Sequence, residues 1–309
     1  MSTFDRAAAE IARRQHTLLT REDVVRIGGN ADRIHRRLAA GRWQLVEPGV
    51  YRIAGGPMDW EARQLAAVLS AGPGAATSHL AAARLWGIPG FALAPPEISV
   101  PRHSRRPRPS VIRHESTDLD RCQIVERAGI PVTDPDRTLL DMARKVGLRR
   151  LQRSVEAMRR DGHVTWTSLS TCLFAHARRG RPGIRKLRAV LLIDAHREEI
   201  TDTDMELLLL GAIREAGLPE PVVGYEVYDG DRFVAKVDLA LPELRIAIEC
   251  DGSIHDLPEV RERDLVRQND LVLCGWLVLR ISYDRFRQRP DAVIREIRDA
   301  IRSRLAQAS

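Results

Sequence analysis

Val237-Asp238, followed eleven residues on by Ile248-Glu249-Cys250-Asp251-Gly252, is the stretch on which the reading of this chain turns. It puts one acidic residue on the first of two consecutive apolar, strand-like runs and two more near the end of the second. Such runs normally bury Val and Ile. An unpaired carboxylate at the mouth of a core strand costs several kcal/mol unless something offsets it. For clustered carboxylates the usual partner is a divalent cation. Alternation places Ala247, Glu249 and Asp251 on one face of the second strand and Ile246, Ile248 and Cys250 on the other. On the first strand Lys236 and Asp238 share a face.

Working outward, residues 201–309 follow the order α-β-β-β-α-β-α. The pattern predicts a helix over 201–216 and strands over 222–227, 233–241, 245–250 and 277–281. Two further helices are expected over 260–275 and 291–305. Glu206 interrupts the otherwise apolar run Met205 to Leu210, so it either points outward or reaches a site. Gly252 lets the chain leave its strand sharply towards His255. Asp264, Arg267 and Gln268 stand at i, i+3 and i+4 on one helix and form one patch. Carboxylates that hold Mg²⁺, with a cation or polar group beside them, are what metal-assisted phosphodiester hydrolysis requires.

The segment resembles the PD-(D/E)XK nuclease superfamily, and within it the DUF559 family related to Vsr-like endonucleases. The resemblance rests on Glu206, Val237-Asp238, Glu249-Cys250-Asp251-Gly252, His255, Arg263-Asp264, Arg267 and Gly275 to Arg280. It implies a restriction-endonuclease-like α/β core, Asp238 and Glu249 as ligands of Mg²⁺ or Mn²⁺, and Glu206 as a helix carboxylate acting directly or through water. Asp251 stands where the motif usually carries Lys, as is common in this family. The cation's role is left open to Lys236 or Arg267. His255 is either a general base or a hydrogen-bonded surface residue. Trp276 and Arg280 read as core and strand-end residues.

Composition agrees with an anionic partner. Net charge is +7 over 309 residues and the pI is about 9.7, which points first to nucleic acid. Among the basic residues only Lys145, Lys186 and Lys236 are lysines. Arg favours bidentate phosphate contacts, although a GC-rich genome gives the same bias. Cys122, Cys172, Cys250 and Cys274 form no CxxC pair, which argues against structural zinc and for reduced thiols. Neither a signal-peptide core nor an apolar run of about 18 residues is visible, so a cytoplasmic protein without a membrane partner is expected.

Residues 5–55 read as three helices and a hairpin. Thr20 with Asp23 is a capping signal. Gly28-Gly29 ends the second helix and Gly41 the third. Arg33, Arg36 and Arg37 lie on the outer face of the third helix, and Arg42 and Arg52 flank the hairpin. That order is a winged helix-turn-helix, whose third helix would enter the major groove of double-stranded DNA. The phrase Ala40-Gly-Arg-Trp-Gln-Leu-Val-Glu-Pro-Gly-Val-Tyr-Arg52 resembles the N-terminal domain of AbiEi antitoxins of type IV toxin–antitoxin systems. It implies promoter binding and a cognate toxin as partner.

Residues 56–200 form a mixed α/β middle region of AbiEi-like character. Helices are expected over 60–70, 77–86 and 189–200, and strands over 97–100 and 110–113. Asp134 caps a helix that Pro135 opens. The arginines of 101–109 and the basic run 178–188 are either nucleic-acid contacts or solvated loop and linker. The expected fold class is therefore α/β, with three domains: 1–55, 56–200 and 201–309. The expected function is a DNA-binding, Mg²⁺-dependent DNA endonuclease, with a homodimer as a candidate assembly. The alternative is an AbiEi-like antitoxin or repressor whose nuclease-fold domain is non-catalytic.

Overall fold

A computed structural model describes residues 2–102, 110–194, 201–251 and 258–308; for residues 251, 258–265 and 308 it describes the backbone alone. The chain divides into two compact units, Met1–His163 and Val164–Ser309. Both mix helices with sheets, as the α/β class requires.

The first unit opens with α1 (Thr3–Arg14), β1 (Leu18–Thr20), α2 (Arg21–Arg26), α3 (Ala31–Ala39), β2 (Trp43–Glu47) and β3 (Val50–Ile53). The strands form a sheet in the order β1-β3-β2. Thr20 and Asp23 form a reciprocal capping box on α2, and Asn30 caps α3. The two helices meet at a tight turn. Gly28 sits at φ +81°, and a Cβ on Gly29 would come within 2.8 Å of Phe4 and 2.5 Å of Val24. Phe4, Leu19, Val24, Ile34, Trp43 and Tyr51 pack into one core. Burying each aliphatic member contributes about 1.5–3 kcal/mol. Strand β1 was not anticipated, because Leu18-Leu19-Thr20 is too short to show a period.

The rest of this unit is a five-stranded mixed sheet in the order β6-β5-β4-β8-β7. Its strands are β4 (Ala76–Thr77), β5 (Glu97–Pro101), β6 (Ile112–Ser116), β7 (Ile124–Arg127) and β8 (Ile130–Thr133). Helices α4 (Trp60–Ala71), α5 (His79–Leu85), α6 (Pro135–Ala143) and α7 (Leu148–Arg160) complete it. The expected helix over 77–86 starts later, at His79. Ala76 and Thr77 are taken as a strand between β5 and β8, and β-branched Thr77 suits that role. Asp134 caps α6 with Pro135 in its first turn, as expected. Arg137 is buried and pairs with Asp118 and Asp141.

Glu97 is fully buried in this sheet. Its carboxylate pairs with Lys145 and accepts from Leu80 N at 3.2 Å, and His114 Nε2 lies 2.6 Å from it. Gln64 of α4 holds both the N–H and the carbonyl of Glu97. His79, also buried, stacks on His114 with ring centroids 3.9 Å apart.

The second unit starts with α8 (Trp166–His176), α9 (Ile184–Asp194) and α10 (Asp202–Glu215). Strands β9 (Val222–Asp229), β10 (Arg232–Leu241), β11 (Ile246–Asp251) and β12 (Leu277–Ser282) follow, with α11 (Pro258–Leu273) between the last two. Helices α12 (Tyr283–Gln288) and α13 (Pro290–Ala308) close the chain. The sheet order is β12-β11-β10-β9. β10 runs antiparallel to both neighbours, while β11 and β12 are parallel and need α11 as their crossover. The α-β-β-β-α-β-α order holds. The addition is α12, a short six-residue helix capped by Ser282 after β12. The helix expected over 189–200 begins at Ile184, and residues 195–200 lie outside the described ones. The basic run 178–188 is partly spent on structure: Arg188 pairs with Glu215 and Arg185 with Asp291, and burial pulls Arg181 down to about 10. Among the described residues no helix is long and apolar enough to cross a membrane.

Burial and then the neighbouring His114 hold the His79 imidazole down to about 3; Lys145 and Arg137 add to this and Glu97 opposes it. An unfolded His titrates near 6.5. Below that pH the unfolded chain takes a proton that the folded unit refuses. Stability contributed by His79 is therefore full above about 6.5 and falls as pH drops towards about 3, with a slope of up to about 1.4 kcal/mol per pH unit. Urea unfolding of chelator-treated protein between pH 7 and 4 should show this slope, and His79→Gln should flatten it by one proton. Parallel profiles for the two proteins would assign the loss to another group.

Candidate functional site

Strands β10 and β11 bring the sequence-marked acids to one end of the second unit's sheet. Asp238 is half-buried, and its Oδ2 accepts from the backbone N–H of Cys250 at 2.8 Å. That bond ties the two strands together beyond their last paired residues, Leu239 and Ile248. It also fixes one carboxylate oxygen and leaves Oδ1 for another partner.

Glu206 reaches the same end from α10. Burial and then the charges of Asp238 and Asp202 raise its pKa above the usual carboxylate range. Burial also pushes the Cys250 thiol up, helped by Asp238, Glu206, Asp202 and Glu249. Negative potential therefore concentrates around Cys250. The opposite face of β11 carries Glu249, only 7% exposed. Its Oε1 accepts from Arg267 of α11 at 2.9 Å, and Arg280 lies 3.5 Å from Oε2. The parallel register pairs Glu249 directly with Arg280 on β12. The reading of Arg280 as a strand-end residue missed this role; the needed signal was the register between β11 and β12, which a single sequence does not display.

Arg267 also donates to the carbonyl of Lys236 at 3.3 Å, and its Nε is buried with no partner. Lys236 itself is exposed on β10, and its stem lies over Gly224 of β9. Trp276 packs in the core against Tyr225, ring centroids 5.8 Å apart. Asp251 ends β11, but its side chain, that of Asp264, and all of His255 lie outside what is described. Among the described residues, Glu206, Asp238 and Glu249 do not draw three ligand atoms within 4.8 Å of one another; the group that does is His79, Glu97 and His114 in the first unit.

Do the acids fit a metal? An all-carboxylate donor set suits Mg²⁺ or Mn²⁺. Burial first, and like charge from Asp238 and Asp202 second, raise Glu206, and a dication would relieve the second. Glu249 fits only after Arg267 and Arg280 give way, since both guanidinium groups now hold it.

The arginines marked on the first unit differ in availability. Arg33, Arg36, Arg37 and Arg42 line one shallow cleft with Ser2. Arg37 is held by Asp5 at 2.5 Å, and its guanidinium stacks on Phe4 and Trp43. Arg33 lies over Phe4, 4.5 Å from the ring centroid. Arg52 bridges the hairpin to Gln44 and the Gly56 carbonyl. Arg36 and Arg42 are the exposed pair. In the loop of 101–109, Arg105, Arg106 and Arg108 lie outside the described residues.

Residues 209–301 match the family model REase_MTES_1575, so this segment is restriction-endonuclease-like. The chain is 26% identical over 182 residues to uncharacterized proteins from two strains of Mycobacterium tuberculosis; the match covers 58% of this chain and 65% of theirs. It is 34% identical over 61 residues to an uncharacterized protein of Haemophilus influenzae, covering 20% of this chain and 50% of that one.

The ion pair has a measurable consequence. Removing one partner of a buried pair leaves the other charge uncompensated. Arg267 is 38% exposed on its side chain, which screens the effect. Arg267→Ala should therefore destabilise the second unit by about 1–2 kcal/mol in urea unfolding. No change would mean that Arg280 alone compensates Glu249.

Proposed function

We propose that residues 201–309 form a divalent-metal-dependent DNA endonuclease domain, and that residues 1–55 are a winged helix that binds double-stranded DNA. The observation that carries the reading is the approach of Glu206 to Asp238 at one end of a mixed sheet, with Asp238 and Glu249 on adjacent strands inside the segment that matches a restriction-endonuclease-like family. In this reading Asp238 and Glu249 hold Mg²⁺ or Mn²⁺, with Glu206 as a third acid. When bound, a divalent ion there would provide the chemistry of metal-assisted hydrolysis, a bound water of lowered pKa and neutralisation of charge on the scissile phosphate. Cys250 N–H aims Asp238 by fixing its Oδ2. Arg267, once released from Glu249, would be the nearest cation to place beside the phosphate. Arg280, 3.5 Å from Glu249 Oε2, would have to yield to the ion. For the first unit, the order of α1 to β3 and the sheet β1-β3-β2 support a winged helix, with Arg36 and Arg42 free for phosphates and Arg33 and Arg37 braced by aromatic rings.

One observation favours a second reading. Glu249 is already neutralised by two arginines, an arrangement that suits a domain retaining the fold without the chemistry. The protein would then act as a DNA-binding repressor or antitoxin, with a toxin as partner.

Plasmid nicking separates the two. With Mg²⁺ or Mn²⁺ the wild-type protein should nick supercoiled DNA. Asp238→Ala and Glu249→Ala should each lower the rate by at least about 100-fold, beyond the loss typical of an outer partner. Inert protein on every DNA form, with promoter binding intact, would select the second reading.

DNA binding has its own test. Arg36→Ala and Arg42→Ala should each weaken binding across all sequences and reduce the salt slope by about one. Unchanged slopes would move the interface elsewhere.

A further inference from the structure

The first unit holds a second constellation, distinct in chemistry from the carboxylates on β10 and β11. His79, Glu97 and His114 each offer one ligand atom, all within 4.8 Å of one another. We propose that these three side chains form a binding site for one first-row divalent transition metal, with Zn²⁺ as the expected ion.

The placement comes from the sheet. β5 and β6 are parallel with Ser99 beside His114. Glu97 lies two residues before Ser99, so both strands present their polar groups to one face. His79 follows β4 at the start of α5. Its backbone lies in the left-handed region at φ +54°, a conformation that a non-glycine residue keeps only where its surroundings hold it there. The enforcing contact is visible. Ser78 stands at the N-cap of α5, yet its hydroxyl makes no cap bond. It lies 2.9 Å from His79 Nδ1 instead, and Ser99 Oγ donates to it at 2.8 Å. This chain fixes Nδ1 and leaves Nε2 as the ring's free position, the outer support that metal-binding imidazoles ordinarily have. Glu97 is aimed in the same way, by Gln64 on its backbone and Leu80 N–H on Oε2.

The donor set selects the ion. Two imidazoles and one carboxylate suit Zn²⁺ and its neighbours rather than Mg²⁺. Lys145 already pairs with Glu97, which identifies the pocket as one that attracts a cation. Its side chain is 24% exposed, enough to swing out when an ion enters. Three protein ligands leave a position open to water or an anionic ligand.

The test uses the full chain carrying Asp238→Ala and Glu249→Ala, so that the other acids hold no ion. After chelation and dialysis against Zn²⁺, elemental analysis should find one zinc per chain, and Co²⁺ should give visible d–d absorption. His114→Gln, a substitution at a partly exposed residue, should weaken zinc binding about 100-fold while circular dichroism stays native, with His79→Gln as the second variant. Lys145→Met should tighten binding. Zinc absent from the double variant, or bound equally after His114→Gln, overturns the site.

Discussion

A buried glutamate paired to cations on an interior strand is the constraint around which each unit is arranged. Glu97 is fully buried on β5 and Glu249 is 7% exposed on β11. Moving a carboxylate out of water costs several kcal/mol even after relaxation, and the cost is recovered only by good partners. Each unit therefore has to bring cations and N–H donors to its sheet from other elements. Lys145 comes from the turn after α6 and His114 from β6; Arg267 comes from α11 and Arg280 from β12. The helices and strands around each sheet are thus positioned by a polar requirement as well as by burial of Leu, Ile and Val. An apolar residue at either position would remove that requirement without loss of core area.

The two arrangements differ in what they can release. Glu249 is held by guanidinium groups that remain charged at any accessible pH. Its release needs a competitor that is also strongly cationic, or a phosphate that draws Arg267 away. Glu97 is held by one ammonium and one imidazole, softer in their demands. The ammonium sits on a flexible stem with a route to solvent. Carboxylates alone around β10 and β11 favour a hard ion, while the imidazoles around β5 favour a borderline one.

Much of the fold was legible because its signals are local. The capping pairs at Thr20 and Asp134, the glycines after α2 and the apolar runs of β9 to β12 depend on residues a few positions apart. The acids at 206, 238 and 249 were legible too, since a carboxylate inside an apolar run violates the pattern that the rest of the run obeys. Long-range register was not legible. Thr77 reads as the start of a helix until β5 and β8 enclose it. Arg280 reads as a strand end until the parallel pairing with β11 sets it beside Glu249. The constellation of His79, Glu97 and His114 spans 36 residues with no motif spacing. It exists only because β4, β5 and β6 lie side by side. His79 carried one faint signal, a polar residue at the head of an alanine-rich helix, and that is common enough to mean nothing alone.

The arginine excess resolves along the same line. Read by number, 46 of 49 basic residues as Arg suggests phosphate binding or genome bias. Read by place, a good share of them is structural: Arg137, Arg188 and Arg267 serve carboxylates, while Arg33 and Arg37 lie on aromatic rings. A planar guanidinium can do either task, offering several N–H donors in one plane and a weakly hydrated face. Lysine could replace few of these contacts, because an ammonium neither forks onto two acceptors nor stacks. Net charge therefore overstates the surface available to DNA. What remains for phosphates is set by which arginines stay exposed without a carboxylate or a ring, and among the five marked on the winged helix those are Arg36 and Arg42.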